Sequence, residues 1–312
     1  MQAAQDAVPA AAGPEPDPAD PSDAGRGASA EAIRHHYDVG NAFYRLWLDP
    51  TGSYSCALWE TGEDALEQAQ VRKLEHHIRE SGAPGAARVL DIGCGWGGLL
   101  QRLVQQHGVG CAVGLTLSEA QAAFVTAQHL PGVEVRLENW LDHRPEAPYG
   151  AIVSIGAFEH FARHGLSRQQ KVETYRRFFR HCHDWLEPGG GMSLQSIVYG
   201  WAGSKEFCSF FDEEIFPESD LPRLGEIFDS LDGLFEVVRL RNDREHYERT
   251  LSQWRQRLRA RRAEAVALVG EATVVRYEKY FQLCMIGFHV GSMGLARLSL
   301  RRLEPQPRPG RA

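Results

Sequence analysis

The stretch "VLDIGCGWGGLL" at residues 89–100 carries Gly93, Gly95 and Gly98 in the order G-x-G-x-x-G, with Asp91 just before the first glycine. An apolar run feeding a glycine turn and then a helix predicts a strand–loop–helix unit built around a ligand. Glycine has no Cβ, so backbone N–H groups and the helix N-terminus can approach that ligand closely. Dinucleotides and S-adenosylmethionine are both bound at such turns, and the motif alone does not separate them. Its context does. A nicotinamide site needs an acid at the tip of the second strand, about 20 residues on, to hold the adenosine ribose. Here that tip reads "GLTLSEAQ", with Thr116 where the acid belongs. Asp91, by contrast, can steady the glycine loop or reach an amino-acid moiety, which shifts the balance to a methyl donor.

Outward from this stretch, "ARVLDIG", "CAVGLTL", "VEVRLEN" and "GAIVSIG" read as strands, with helices over 97–107 and 118–129 between the first three. A long helix over about 167–186, stopped by "EPGGG", leads to a fifth strand, "MSLQSIVY". "FEVVRL" from Phe235 and "LARLSL" from Leu295 are late strands that could close the sheet. Strands alternating with helices imply a parallel sheet covered on both faces. From about 245 to 286 the pattern is mostly helical and interrupts the sheet as a lid over the strands' carboxyl ends would.

The 312 residues, 43% hydrophobic and 24% charged, are enough for one sizeable α/β domain with an appended lid. A net charge of −7 counts against a general nucleic-acid binder. The local exception, "RQRLRARR" at 255–262, reads first as a solvated helix face and second as a contact for an acidic carrier protein or a phosphate. Six cysteines without C-x-x-C pairs suggest neither a metal site nor a disulfide framework, and reduced thiols fit a cytoplasmic protein. There is no run of eighteen apolar residues and no signal-peptide pattern. Residues 1–29, rich in Ala, Pro, Asp and Gly, and residues 304–312 read as disordered tails. The catalytic domain is then expected over 30–303, with the lid insertion at about 200–290.

Five segments together carry a resemblance: "HHYDVGNAFYRLWLDPTGSYSCALWE", "LDIGCGWGG", "GLTLSEAQ", "SIGAFEHF" and "IFPESDLP". In this order they resemble the cyclopropane-fatty-acyl-phospholipid synthase and mycolic-acid cyclopropane synthase family, over nearly the whole ordered chain. The resemblance implies a class I (Rossmann-like) seven-stranded methyltransferase fold with a helical lid. It also implies S-adenosyl-L-methionine as methyl donor and a carbon–carbon double bond in a hydrophobic acceptor as target. Carried over by position, the donor site comprises Tyr54, Ser55, Gly93, Gly95, Gly97, Thr116, Gln121 and Trp140, joined by Asp91 from its place before the glycines. Leu141 stands where the family often has an acid, which questions the adenine-amine contact.

A sulfonium methyl attacked by an alkene leaves a carbocation, so the site needs a negative or π-rich lining and a positioned base in a dry pocket. In the resembled family a bound bicarbonate serves as that base. Its holders fall here on the backbone at Cys56 and on Glu159, Gln195 and Tyr247. Gln195 departs from the family's histidine: an amide donates a hydrogen bond but takes up no proton near neutrality. Cys284 aligns with a cysteine sometimes designated catalytic, although a small thiol on an apolar helix reads more simply as packing. Trp201, Phe207, Phe210, Phe211 and Phe216 fit either an acceptor channel or a core. Two acceptor classes stay open: an unsaturated lipid or carrier-bound acyl chain, and a prenyl, aromatic or other small natural-product scaffold. Contact with a membrane surface or carrier protein, and a homodimer, also remain open.

Overall fold

The computed structural model describes residues 27, 29, 39–203 and 218–304. A seven-stranded sheet forms its centre, built from β1 (Arg88–Ile92), β2 (Cys111–Thr116), β3 (Val133–Leu137), β4 (Tyr149–Ile155), β5 (Leu186–Tyr199), β6 (Phe235–Asn242) and β7 (Met293–Arg302). The spatial order is β3-β2-β1-β4-β5-β7-β6. β1 to β5 run parallel, while β7 lies antiparallel between β5 and β6. This is the expected seven-stranded methyltransferase arrangement.

The helices are α1 (Asn41–Tyr44), α2 (Leu66–Glu80), α3 (Gly98–Gln106), α4 (Glu119–Thr126), α5 (Arg168–Trp185), α6 (Leu224–Leu231), α7 (Arg244–Ala260), α8 (Arg262–Val269) and α9 (Glu271–Val290). Their local causes are plain in α5. Ser167 caps its first turn by accepting from the Gln170 N–H, and the Gln170 side chain reaches back to the Ser167 N–H. This closes a capping box. Its apolar residues Tyr175, Phe178, Phe179, Cys182 and Trp185 recur at three- and four-residue steps, so one face is buried under β4 and β5. On the opposite face, α2 and α3 pack with β1 and β2 through Leu74, Ile78, Leu99 and Leu103.

The helical insertion is narrower than expected. Among the described residues of 200–290, α6 packs against α5 and β6 completes the sheet, so the helices standing outside the central layers are α7, α8 and α9, residues 244–290. Their apolar faces meet α1 and the segment around Cys56 in a separate core of Trp47, Trp254, Tyr277 and Phe281. The proposed N-terminal tail lies outside the described residues except at its end. There Arg163 Nε donates to the Gly27 carbonyl and the Ser29 N–H donates to Glu218, so the chain is already docked two residues before position 29. Most of the proposed C-terminal tail also lies outside them. No helix among the described residues is long and apolar enough to cross a membrane.

Candidate active site

The site follows from strand order. Chain order reverses between β1 and β4, and the loops leaving their carboxyl ends diverge to open a crevice. A cleft of about 1090 Å³, counted out to its mouth, lies there. Asp91 and Ile92 of β1, Leu115 and Thr116 of β2, and Ile155 of β4 form its floor. Tyr54 and Ser55 cover it from the N-terminal side, and Trp140 and Phe161 from the other.

The glycine turn behaves as its sequence requires. Gly93 has φ +84°, and the N–H groups of Gly93 and Cys94 both donate to the Leu115 carbonyl at 2.9 Å, locking the turn onto β2. A Cβ at Gly93 would lie 2.5 Å from the Ala157 methyl. Gly93→Ala is therefore expected to lose about 2–4 kcal/mol through overpacking and a left-handed backbone. Titration with S-adenosylhomocysteine should then show donor-site binding weakened together with the melting temperature. An unshifted melting curve would contradict the packing seen here.

Eight of the nine expected donor-site residues line the cleft: Tyr54, Ser55, Asp91, Gly93, Gly95, Thr116, Gln121 and Trp140. Gly97 does not. It caps α3 at φ +80° with its Cα turned to Val125, so its role is the turn itself. Thr116 Oγ1 donates to Gln121 Oε1 at 2.8 Å, leaving the Gln121 amide N–H groups to offer. Trp140 is buried against Phe161 and Phe178 with ring centroids 5.3 Å away. Leu141 is partly buried in the apolar core beneath.

Sequence reasoning missed Lys73. The residue is 2% exposed, and its ammonium donates to Ser53 Oγ at 3.1 Å and Ser55 Oγ at 3.0 Å at the cleft wall. Gln70 donates to the carbonyls of the same two serines, and Asp49 accepts from the N–H groups of Thr51 and Ser53. Together these groups pin the 49–56 loop that carries Tyr54 and Ser55. Burial pulls the Lys73 pKa down to about 8, although Asp49 and Asp91 favour its charged form. Burial raises the Asp91 carboxyl to about 7, with Lys73 opposing the shift. A carboxylate this poorly solvated gains strongly from a cationic ligand group.

The five expected catalytic residues do not line this cleft. Glu159 sits in a 3₁₀ turn (Phe158–His160) after β4, between the cleft-lining Ala157 and His160. The Ile197 N–H of β5 donates to Glu159 Oε1 at 2.6 Å, while Oε2 is buried with no hydrogen-bond partner among the described residues. Burial raises this carboxyl to about 7, against the lowering effect of the Ile197 N–H. Cys56, Tyr247 and Cys284 share the core between the helical layer and the sheet, and Ile197 packs against it. Burial pushes the Cys56 thiol up to about 12, so its backbone rather than its sulfur is available for chemistry. Cys284 is a packed thiol on α9.

Gln195 has the least expected surroundings. Its Oε1 accepts from Arg297 Nε at 2.8 Å and from His77 Nε2 at 3.3 Å, within a buried polar group that no short motif announces. Of the proposed aromatic channel, Trp201 is 69% exposed and donates its indole N–H to the Val290 carbonyl. Phe207, Phe210, Phe211 and Phe216 lie outside the described residues, as do His35, His36 and Tyr37. The "RQRLRARR" arginines are not a bare basic patch: Arg257 meets Glu67, Arg259 meets Glu278, Arg261 meets Glu264, and Arg262 meets Glu271.

Known proteins share this sequence and fold. A family model described as mycolic acid cyclopropane synthetase matches residues 26–298. Cyclopropane mycolic acid synthase 1 of Mycobacterium tuberculosis is 34% identical over 289 residues, covering 86% of this chain and 96% of that protein. The solved structure of the cyclopropane synthase MmaA2 from Mycobacterium tuberculosis matches with a TM-score of 0.79 at 32% identity, covering 88% of this chain and 99% of that one. The structure of CmaA1 complexed with SAH and CTAB matches with the same score at 33% identity and the same coverages.

Proposed function

Because this chain belongs to the mycolic acid cyclopropane synthetase family of S-adenosylmethionine-dependent methyltransferases, we propose that it transfers the donor's methyl group to a C=C bond of a hydrophobic, fatty-acyl-like acceptor through a carbocation. The observation that carries the reading is Glu159: a buried carboxylate with one oxygen that has no hydrogen-bond partner among the described residues, one residue away from the cleft lining.

The alkene π pair attacks the sulfonium methyl as the C–S bond breaks, so S-adenosylhomocysteine leaves as a neutral sulfide and the positive charge moves to the neighbouring acceptor carbon. Loss of a proton from the new methyl closes a cyclopropane, a net gain of CH2; loss from an adjacent carbon leaves a methylated alkene. The chain has groups for the cationic stage. Tyr54, at the cleft wall, packs 5.2 Å from the rings of both Trp47 and Trp254, within an aromatic layer that also holds Tyr277 and Phe281. Such π faces stabilise a cation and exclude water. The ionised Glu159 adds a negative charge in a low dielectric.

Bicarbonate, when bound, would supply the base. The residues fit it. Glu159 Oε2 needs a donor, which a bicarbonate O–H provides. Gln195, its own oxygen occupied, has only N–H groups to offer an anion, and the Cys56 backbone and Tyr247 would complete the set.

The test is incubation with S-adenosylmethionine carrying a labelled methyl group and a panel of unsaturated phospholipid, carrier-bound acyl, prenyl diphosphate and aromatic acceptors, read by mass spectrometry. Gain of one CH2 on an acyl alkene is the expected result. Label confined to a prenyl or aromatic acceptor would keep the methyltransferase and overturn the lipid reading. On the acyl product, Gln195→His is expected to change bicarbonate dependence or the ratio of cyclopropane to methylated alkene. Identical products at identical rates would remove position 195 from the base site.

A further inference from the structure

Three of the four groups proposed above for the anion belong to separate parts of the chain: the Cys56 segment, Gln195 on β5, and Tyr247 in the first turn of α7. The first and third are joined directly, by the Ala57 N–H to Thr250 Oγ1 and the Trp59 N–H to His246 Nδ1, both at 3.1 Å, but neither bond reaches Gln195. One side chain touches all three parts. Arg297, on β7 directly across from Gln195, is 2% exposed. Its Nε donates to Gln195 Oε1 at 2.8 Å, and one terminal nitrogen donates at 3.1 Å to each of the Cys56 and Ala57 carbonyls. The other pairs with Asp243, the residue that precedes α7 and so fixes where Tyr247 begins its helix.

Resting on the proposed anion site, we infer that Arg297 is the positioning residue that assembles it. The guanidinium does so by holding the Gln195 carboxamide oxygen away from the anion and the N–H groups toward it. The amide orientation is fixed by chemistry: an arginine N–H can donate only to the oxygen. His77 makes the same demand from the other side. With Nε2 donating to Gln195 Oε1, its Nδ1 must accept, and the Ser193 hydroxyl lies 2.8 Å away to donate. The resulting network leaves no ambiguity in any donor or acceptor.

This arrangement explains why an amide can stand where the resemblance leads one to expect histidine. The charge assistance comes from a guanidinium one bond further out, and Asp243 balances that charge, so no net cation faces the carbocation. Lysine cannot replace it. An ammonium is a point donor that keeps the pairing with Asp243 but cannot bridge three elements in one plane.

The experiment titrates 13C-labelled bicarbonate into the full-length protein saturated with S-adenosylhomocysteine, followed by NMR. It is repeated for Arg297→Lys and for the charge-neutral pair Arg297→Met with Asp243→Asn, since removing both charges spares the core an unpaired ion. The expected result is bicarbonate affinity weakened about tenfold or more in both, with S-adenosylhomocysteine affinity within about twofold of the parent. Parent-like bicarbonate binding in either folded variant overturns the inference alone. So does loss of S-adenosylhomocysteine affinity in step with bicarbonate, which would mark a merely structural residue. A parent chain that binds no bicarbonate overturns the anion site itself, and the inference with it.

Discussion

Glu159→Gln is expected to turn over about 10³-fold more slowly than the parent, within the range that a positioned acid or base supplies. Its affinity for S-adenosylhomocysteine should stay within about threefold of the parent. The split follows from geometry. Glu159 lies behind the donor cleft rather than in it, and the Ile197 N–H that donates to it can donate to an amide oxygen as well as to a carboxylate oxygen. What the amide removes is the negative charge and the free acceptor at Oε2. The pH profile makes the same point. With a pKa raised to about 7 by burial, Glu159 is ionised above that value and protonated below it. The rate that depends on its charge is therefore full at high pH and falls as pH drops through about 7. That limb should be missing from the residual activity of the glutamine variant. Parent-like turnover in the variant would remove Glu159 from the chemistry.

Asp91→Asn should do the reverse, weakening S-adenosylhomocysteine binding by about 10- to 100-fold, the worth of a charge-assisted hydrogen bond in a buried site. Asp91 is 3% exposed on the cleft floor, and its carboxyl is raised to about 7 because burial outweighs the favourable field of Lys73. A ligand ammonium selects the ionised form. Affinity in the parent should thus be greatest above pH 7 and decline by up to about tenfold per unit below it, while the asparagine variant stays flat. Calorimetric titration of both proteins across that range checks the sign. A parent whose affinity ignores pH would place the ligand's ammonium elsewhere.

What the sequence made legible was local. The glycine turn, Thr116 with Gln121, and Trp140 sit in contiguous motifs at strand ends, and the structure brings them to one cleft. The alternation of strands and helices was equally open to reading, as far as β6 and β7. Lys73 was hidden because it lies on α2, "LEQAQVRKLEHHIRE", whose many charges suggest a solvated helix, and lysine is seldom buried. Its partners, Ser53 and Ser55, come from a loop about twenty residues away. Arg297 left one clue. In "LARLSL" it shares a parity with Leu295 and Ser299, so a strand with one inward face must bury a charge or turn it outward. The sequence could not say which, because Gln195, Asp243 and Cys56 are brought to it by the sheet register and by the fold of the 50s loop. The expected insertion bounds began too early, since α6 and the strand already legible in "FEVVRL" lie inside 200–290 but belong to the central layers.

The pairing of β6 with β7 also bears on how the protein is made. Among the described strands β6 pairs with β7 alone, and β7 is drawn from the last described stretch of chain. While a ribosome is still synthesising α7 to α9, β5 presents an open edge and β6 has no neighbour. The slot between them is filled only when residues 293–302 emerge. Arg297 arrives in that same step, so the groups it gathers come together as the sheet closes. Nascent chains released before residue 293 would carry a complete glycine turn on an unfinished sheet, with an exposed strand edge open to aggregation.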